Sequence, residues 1–144
     1  MRTIKFRGKC CHCDAWAYGN LVDYGEDELP EIQGFDVYNE GSDVWQEPTV
    51  ELDTIGQFTG LYDKYGKEIY EGDIIQHRGQ KVIVEFYRGA YGYGRIVAGE
   101  HVFVPFIGSD NNKDALQFPD GTYFDTDFCE VIGNIHSDPK LLEQ

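Results

Sequence analysis

Residues 57–87 read QFTGLYDKYGKEIYEGDIIQHRGQKVIVEFY, and this stretch decides the fold class. Its β-branched and aromatic residues form short runs, and the runs at 57–61, 74–77 and 82–87 have the length and composition of β-strands. Polar sequences that contain glycine separate the runs, as at 63–66, and such sequences form tight turns. The alternation of short strands with tight turns predicts a compact β-structure in this part of the chain.

The composition of the whole chain indicates the same class. Among 144 residues, Val, Ile, Thr, Phe, Tyr and Trp together number 48, whereas Ala, Leu and Met number 13. The first group favours half-buried pleated surfaces and the second favours helices, so the chain is predicted to be mainly β. No apolar run approaches the roughly 18 residues of a membrane span, and no apolar signal core follows the charged start. We therefore expect a soluble protein that stays in the compartment where it is made.

The N-terminal third predicts a hairpin followed by an irregular region. Ile4 and Phe6 alternate with basic residues, which is typical of a strand with one wet face, and a return strand starts at Trp16. Residues 8–14 would then form the hairpin loop. Residues 24–48 are acidic and rich in turn residues, and we expect them to form an irregular, partly ordered excursion.

The C-terminal part predicts one more strand and a closing helical turn. Residues 131–135 form the last apolar run, and Asp138 and Pro139 then have the types preferred at the N-cap and the first position of a helix. The predicted organisation is a hairpin with an acidic variable region at 1–54 and a small β-barrel with this turn at 55–144, together one compact unit.

The acidic residues are concentrated in one segment. The formal net charge is −14, and residues 14–63 carry 13 acids and no Lys or Arg, whereas residues 1–13 carry four bases. A negative field of this size repels phosphate backbones, so general nucleic-acid binding is disfavoured. It favours a protein partner with a basic surface. If that surface normally binds nucleic acid, the carboxylates of this chain could occupy the positions of the phosphates. The simpler interpretation is that the acids keep a β-rich protein soluble and prevent edge-to-edge association.

Aromatic residues are interleaved with these acids, and aromatic side chains are common anchors of protein interfaces. We therefore expect a partner-binding surface in this segment. Its predicted residues are Trp16, Tyr24, Glu26, Asp27, Glu28, Glu31, Phe35, Tyr38 and Trp45.

The string IGQFTGLYDKYGKEIYEGDII at residues 55–75 resembles the signature of the YopX family of phage and prophage proteins. MRTIKFRGK followed by WAYGNLV is similar to the N-terminal hairpin of that family, and EVIGNIHSDPKLL is similar to its C-terminal segment. The resemblance implies a mainly β fold with an SH3-like barrel, a phage or prophage origin and a location in the host cytoplasm. It implies no activity and no catalytic residues. Both the cysteine-rich first turn and the acidic region at 24–48 depart from the usual pattern of the family.

The first turn, Cys10-Cys11-His12-Cys13, is a candidate zinc site. Cys10 and Cys13 have the spacing that lets two thiolates hold one metal ion from a tight turn, and His12 or Cys11 could contribute a further ligand. A closed site needs four ligands, and Cys129 and His136 are the only distant residues of a suitable type near the C-terminal strand. The alternatives are an exposed loop with reduced thiols or a redox pair.

A second candidate is the stretch at 88–95, with its two arginines and two tyrosines among glycines. Such a loop at a barrel mouth could stack on and charge-pair a nucleotide. The predicted ligand-binding residues are Arg88, Tyr91, Tyr93, Arg95 and His101. This is the basis of the alternative function, a protein that sequesters a small molecule or nucleotide, and a homo-oligomer could form the pocket between its chains. The simpler interpretation is a flexible hairpin loop whose tyrosines cap the barrel.

No enzyme signature is found in the sequence. Residues 110–114 resemble a calcium loop in spacing but lack its glycine and its final glutamate, so they predict a polar turn. No serine lies in a nucleophile-elbow motif. The sequence therefore favours a non-catalytic accessory protein that binds a host protein, for example to counter host defence or to mimic nucleic acid.

Overall fold

The structure is a computed structural model of the chain, and it describes residues 3–12, 15–37, 49–77, 79–87, 89–105, 116–117, 123–124 and 129–143. Across these ranges, no helix has the length and apolar character needed to span a membrane. The chain divides into two compact units, Met1–Gly60 and Leu61–Gln144.

Strands dominate the described residues, which confirms the predicted mainly β class. The strands are β1 Phe6–Lys9, β2 Trp16–Val22, β3 Glu31–Val37, β4 Gly56–Tyr62, β5 Glu68–Tyr70, β6 Asp73–His77, β7 Gln80–Tyr87, β8 Ala90–Val97, β9 Glu100–Pro105, β10 Leu116–Gln117, β11 Tyr123–Phe124 and β12 Cys129–Asn134. Short 3-10 helices lie at Leu52–Thr54 and Pro139–Leu142. The closed SH3-like barrel stays a prediction.

In the first unit, β1 lies between β2 and β4, and β3 pairs with the other side of β2. The antiparallel pair of β1 and β2 is the predicted N-terminal hairpin, with Phe6 opposite Gly19 and Lys9 opposite Trp16. Apolar side chains from separate elements form the core because each strand turns one face inward. The buried core residues are Ala17, Ile32 and Val50, with Phe6, Leu21 and Ile55 packed against them.

Strand β3 corrects the expectation that residues 24–48 form an irregular excursion. Glu31–Val37 is a regular strand of seven residues that pairs antiparallel with β2, with Leu21 opposite Ile32. Ile32 is completely buried, so this segment contributes to the core despite its acidic surroundings. Acidic side chains do not prevent a strand here, because they can point to solvent while the backbone N–H and C=O groups pair with β2. Residues 38–48 lie outside the described residues.

In the second unit, one antiparallel sheet has the strand order β12-β6-β7-β8-β9. Strands β6 to β9 follow each other in chain order, and β12 returns to pair with β6, with Val131 opposite Ile75. The inward face of the sheet carries the largest apolar cluster of the described residues. The strands of this sheet contribute Ile75, Val82, Val84, Tyr93, Cys129 and Val131, and Ile69 of β5 and the partly buried Leu61 of β4 complete the cluster.

The predicted closing turn is present after β12. Asp138 stands at the N-cap position and Pro139 at the start of the 3-10 helix Pro139–Leu142. The Asp138 carboxylate does not cap this helix but accepts a hydrogen bond from the backbone N–H of Asn134, with Oδ2 3.2 Å from the nitrogen. Lys81 on β7 donates from Nζ to the carbonyl oxygen of Leu141 at 3.0 Å, which holds the turn to the sheet.

Asp63 joins the turn after β4 to the last strand. The carboxylate is buried, and its Oδ1 accepts hydrogen bonds from the backbone N–H groups of Tyr65, at 2.8 Å, and Lys67, at 2.9 Å. Its Oδ2 accepts the backbone N–H of Val131 on β12 at 3.0 Å. Burial by itself raises the pKa of Asp63, but these three donors and the nearby charge of Lys67 outweigh burial and lower the pKa below its ordinary value of 3.8.

The lowered pKa of Asp63 predicts a loss of stability in acid. Because the folded state holds the proton more weakly than the unfolded state, the contribution of Asp63 is complete above the ordinary pKa of 3.8 and is lost as the pH falls through the lower, folded-state pKa. We expect the difference in free energy of unfolding between the wild type and Asp63→Asn to shrink from about pH 7 to about pH 3, measured by urea denaturation at each pH. A difference that stays constant over this range would contradict the assignment.

Candidate functional site

The acidic loop, which we define as residues 23–30, connects β2 to β3. Asp23 accepts a hydrogen bond through Oδ1 from the backbone N–H of Gly25 at 2.9 Å. Gly25 has a φ of +100°, a conformation that favours glycine, so the chain can reverse at this point. The hydroxyl of Tyr24 donates to Oε1 of Glu31, the first residue of β3, at 2.7 Å. The base of the acidic loop is therefore held by polar contacts.

The surface of the acidic loop combines carboxylates with apolar groups. Glu26, Asp27 and Glu28 are exposed, and the two large side chains on either side of them, Tyr24 and Leu29, are 48% and 49% exposed. The three acids and Tyr24 belong to the predicted partner-binding residues, and the loop brings them together. Exposed apolar groups beside charges of one sign can bury area against a partner while the charges steer its approach.

The other predicted partner-binding residues do not join this group. Trp16 is the first residue of β2, so it lies about 20 Å along the strand from the acidic loop. Its ring instead contacts the guanidinium of Arg7, with Cζ 5.1 Å from the ring centroid. Phe35 lies on β3. Tyr38 and Trp45 fall outside the described residues.

The cysteine-rich turn is partly described. Cys10 is 3% exposed and forms an isolated antiparallel bridge with Val50, so its thiol faces the first unit and not the solvent. Its Sγ accepts a weak hydrogen bond from the backbone N–H of His12 at 3.4 Å. This placement makes Cys10 part of the packing of the first unit.

Cys11 is half-buried in the same turn. Burial raises the pKa of its thiol, and the charge of Glu51 raises it further. A higher pKa works against metal binding, because the thiolate is the ligand. The described ranges contain no group of three or more His, Cys, Asp or Glu side chains that could hold a metal ion. Cys13 lies outside those ranges, so the zinc site at Cys10, His12 and Cys13 stays a prediction.

Residues 88–95 do not form the glycine-rich loop that the sequence suggested. Strand β8 already starts at Ala90, so the described residues 90–95 of this stretch lie on a strand. Tyr93 lies opposite Val84 on β7 and is completely buried, so its ring is unavailable for stacking on a ligand. Tyr91 packs edge-on against Phe86, with ring centroids 4.9 Å apart.

The remaining predicted ligand residues are placed separately. Arg95 lies on β8 opposite Val102. Arg88 falls outside the described residues. His101 is exposed on β9, where its Nε2 lies 2.8 Å from Oε1 of Glu85. The structure thus offers a strand with alternating faces in place of the predicted ligand loop.

The glycines of β8 lie on the face opposite Tyr93. Gly92 pairs with Glu85 on β7, and Gly94 pairs with Phe103 on β9. Since these positions lack side chains, groups from β7 and β9 can meet across β8, an arrangement known to compensate for glycine in sheets. A Cβ added at Gly94 would overlap the carboxylate of Glu85.

We call Glu85, Tyr87, His101 and Phe103 the ring platform. The ring centroid of Tyr87 lies 5.4 Å from that of His101 and 5.1 Å from that of Phe103. Tyr87 is 40% exposed, and the side chains of His101 and Glu85 are 38% and 27% exposed. The platform therefore presents aromatic faces and one carboxylate to solvent.

Of the ring platform, only His101 is among the predicted ligand-binding residues, and Glu85, Tyr87 and Phe103 are not. The available signal was the alternation Tyr-Gly-Tyr-Gly at 91–94, which has the period of a strand and puts both glycines on one face. That alternation was interpreted as flexibility because glycine is also common in loops.

A solved structure and a family model each match nearly the whole chain. The chain is similar to protein EF1440 from Enterococcus faecalis, whose crystal structure is known, with 24% sequence identity. The alignment covers 99% of this chain and 100% of that chain, and the TM-score is 0.40. No curated protein sequence matches. The family described as YopX protein matches residues 5–143, a span that includes nearly all of the three quoted motifs. The resemblance predicted from those motifs is confirmed, and the chain belongs to the YopX family.

Proposed function

We propose that this YopX family member is a non-catalytic binding protein whose acidic loop engages a basic surface of a host protein. The observation that carries the proposal is the exposure of Glu26, Asp27 and Glu28 between the half-exposed Tyr24 and Leu29. In this proposal the protein is encoded by a phage or prophage and acts in the host cytoplasm. Partners whose basic surface normally binds nucleic acid, including proteins of host defence, fit this chemistry, because carboxylates can occupy the positions of phosphates.

Charge distribution supports this choice of partner. Residues 14–63 contain 13 acids and no Lys or Arg, so no basic side chain of the segment neutralises the loop. Complementary charge raises the association rate and suppresses wrong partners, whereas the apolar contacts supply affinity. Tyr24 and Leu29 are the described groups of the loop that can supply such contacts.

The nucleotide-sequestering alternative has less support. It needed two tyrosines on one flexible loop, and the ring of Tyr93 is completely buried on a strand. The acidic loop needs no rearrangement to meet a partner.

The test compares two variants with equal net charge. The loop variant carries Glu26→Gln, Asp27→Asn and Glu28→Gln, and the matched control carries Glu51→Gln, Asp53→Asn and Glu143→Gln, three other exposed acids. Each set removes three charges and changes the formal net charge from −14 to −11. Wild type and both variants are immobilised, and host-cell lysate is passed over them so that binding proteins are retained. The retained protein is then purified, and its association with each variant is measured at low and high salt.

We expect the loop variant to associate about tenfold more slowly than the wild type at low salt. The control should stay within about twofold, and the deficit of the loop variant should shrink at high salt because exposed charges are screened. Equal slowing of both variants would show a general charge effect and contradict a role of the loop. Failure of the wild type to retain any host protein at low salt would contradict the proposed function itself.

A further inference from the structure

The ring platform has the chemistry of a cation-binding surface. The face of a tyrosine ring carries partial negative charge and attracts cations, and Tyr87 is 40% exposed. The carboxylate of Glu85 lies at the edge of this surface, where its Oε1 is 2.8 Å from Nε2 of His101. These groups come from β7 and β9, so the sheet fixes their spacing.

We propose that the ring platform binds an arginine side chain of a protein partner. A guanidinium is planar, stacks on aromatic faces and donates hydrogen bonds to carboxylates, which matches Tyr87 and Glu85 together. The formal net charge of −14 attracts a positively charged occupant over a longer range. The ring platform and the acidic loop share no residue, and the assignment of the platform does not depend on the proposed function.

The chain already uses the same chemistry within each unit. The guanidinium of Arg7 lies over the ring of Trp16, with Cζ 5.1 Å from the centroid, and the ammonium of Lys64 lies over Tyr65 at the same distance. A half-buried ring, Trp16, and an exposed ring, Tyr65, thus each accept a cation in the contact range expected for cation–π pairs.

Charge distinguishes an arginine from a nucleotide as the occupant. A nucleobase could also stack on Tyr87, but its phosphate would approach the carboxylate of Glu85 and the negative field of the chain. An arginine gains from both of these charges. The observations therefore favour the cationic side chain.

In the experiment, the peptide Ac-Gly-Arg-Gly-NH2 is titrated into the full chain, and chemical shift changes are recorded by two-dimensional NMR. The comparison peptide carries citrulline, which has nearly the shape of arginine but no charge, and adenosine monophosphate is titrated separately. We expect saturable shift changes at Glu85, Tyr87 and His101 with the arginine peptide and much smaller changes with the other two compounds. The acidic-loop variant should show the same changes at the platform, so this result is independent of the loop.

Two substitutions test the groups of the ring platform. Tyr87→Leu keeps an apolar side chain at this position of β7 but removes the aromatic ring. We expect about threefold weaker binding of the arginine peptide. Tyr65→Leu is the matched control, since it removes an exposed ring elsewhere and should leave the platform shifts unchanged. Gly94→Ala should displace the Glu85 carboxylate and also weaken binding, with the amide spectrum showing whether the sheet is intact.

Four outcomes would overturn the proposal. Equal shifts with arginine and citrulline would show that charge has no role, and shifts confined to the acidic loop would place the cation there. Stronger platform shifts with adenosine monophosphate would make the surface a nucleotide site. Unchanged arginine binding by folded Tyr87→Leu would exclude the ring as its partner.

Discussion

Replacement of Asp63 by alanine is expected to lower the free energy of unfolding by about 3 kcal/mol or more. The carboxylate accepts three backbone hydrogen bonds, from Tyr65, Lys67 and Val131, and alanine offers no acceptor to any of them. The N–H of Val131 is buried and costs about 1–3 kcal/mol when it loses its partner, and the part-buried N–H groups of Tyr65 and Lys67 each add a smaller cost. The effect is large because one side chain holds both its own turn and a distant strand.

The measurement is urea denaturation of the wild type, Asp63→Ala and Asp63→Asn. Asparagine keeps one acceptor oxygen but directs an NH2 group at a backbone donor. The loss of unfolding free energy in Asp63→Asn should therefore be a large part of the loss in Asp63→Ala. Asp53→Ala, which removes an exposed acid, serves as the control and should change stability by less than about 0.5 kcal/mol. If Asp63→Ala cost no more than this control, the buried carboxylate would not stabilise the second unit.

The strands around Asp63 could be predicted from sequence, but its role could not. The runs at 57–61, 74–77 and 82–87 correspond to β4, β6 and β7, because strand composition and turn residues are local signals. The bond from Asp63 to Val131 joins residues 68 positions apart. No local pattern shows which distant donor a turn carboxylate will meet.

The candidate sites show the same division between local and distant information. The acidic loop could be located by counting charges, because Glu26, Asp27 and Glu28 are adjacent in sequence. Charged side chains are also usually exposed, as these three are. The ring platform depends on Glu85 and His101 meeting across a strand that lies between theirs. Only the register of β7, β8 and β9 brings them together, and that register is unknown until the pairing is known.

Gly8 provides the second prediction, and it depends on an equally distant contact. Gly8 is buried on β1, and a Cβ built there would lie 2.8 Å from both Cβ and Cγ2 of Val50. Val50 is completely buried in the core of the first unit, so it has little room to move. We expect Gly8→Ala to lower the free energy of unfolding by about 2 kcal/mol through overpacking.

A double-mutant cycle separates this steric clash from any other cost of alanine at position 8. Val50→Ala should itself destabilise by about 2 kcal/mol because it leaves a cavity, but it also removes Cγ1 and Cγ2, two of the three Val50 atoms that the new methyl group would meet, and it lets the remaining Cβ shift into the space. The double variant Gly8→Ala/Val50→Ala should therefore be more stable than the sum of the single effects by about 1 kcal/mol or more. The control pairs Gly8→Ala with Val22→Ala, at the far end of β2, and should be additive within about 0.5 kcal/mol. Additivity in the Val50 cycle as well would show that the glycine is required for a reason other than the close approach of this one side chain.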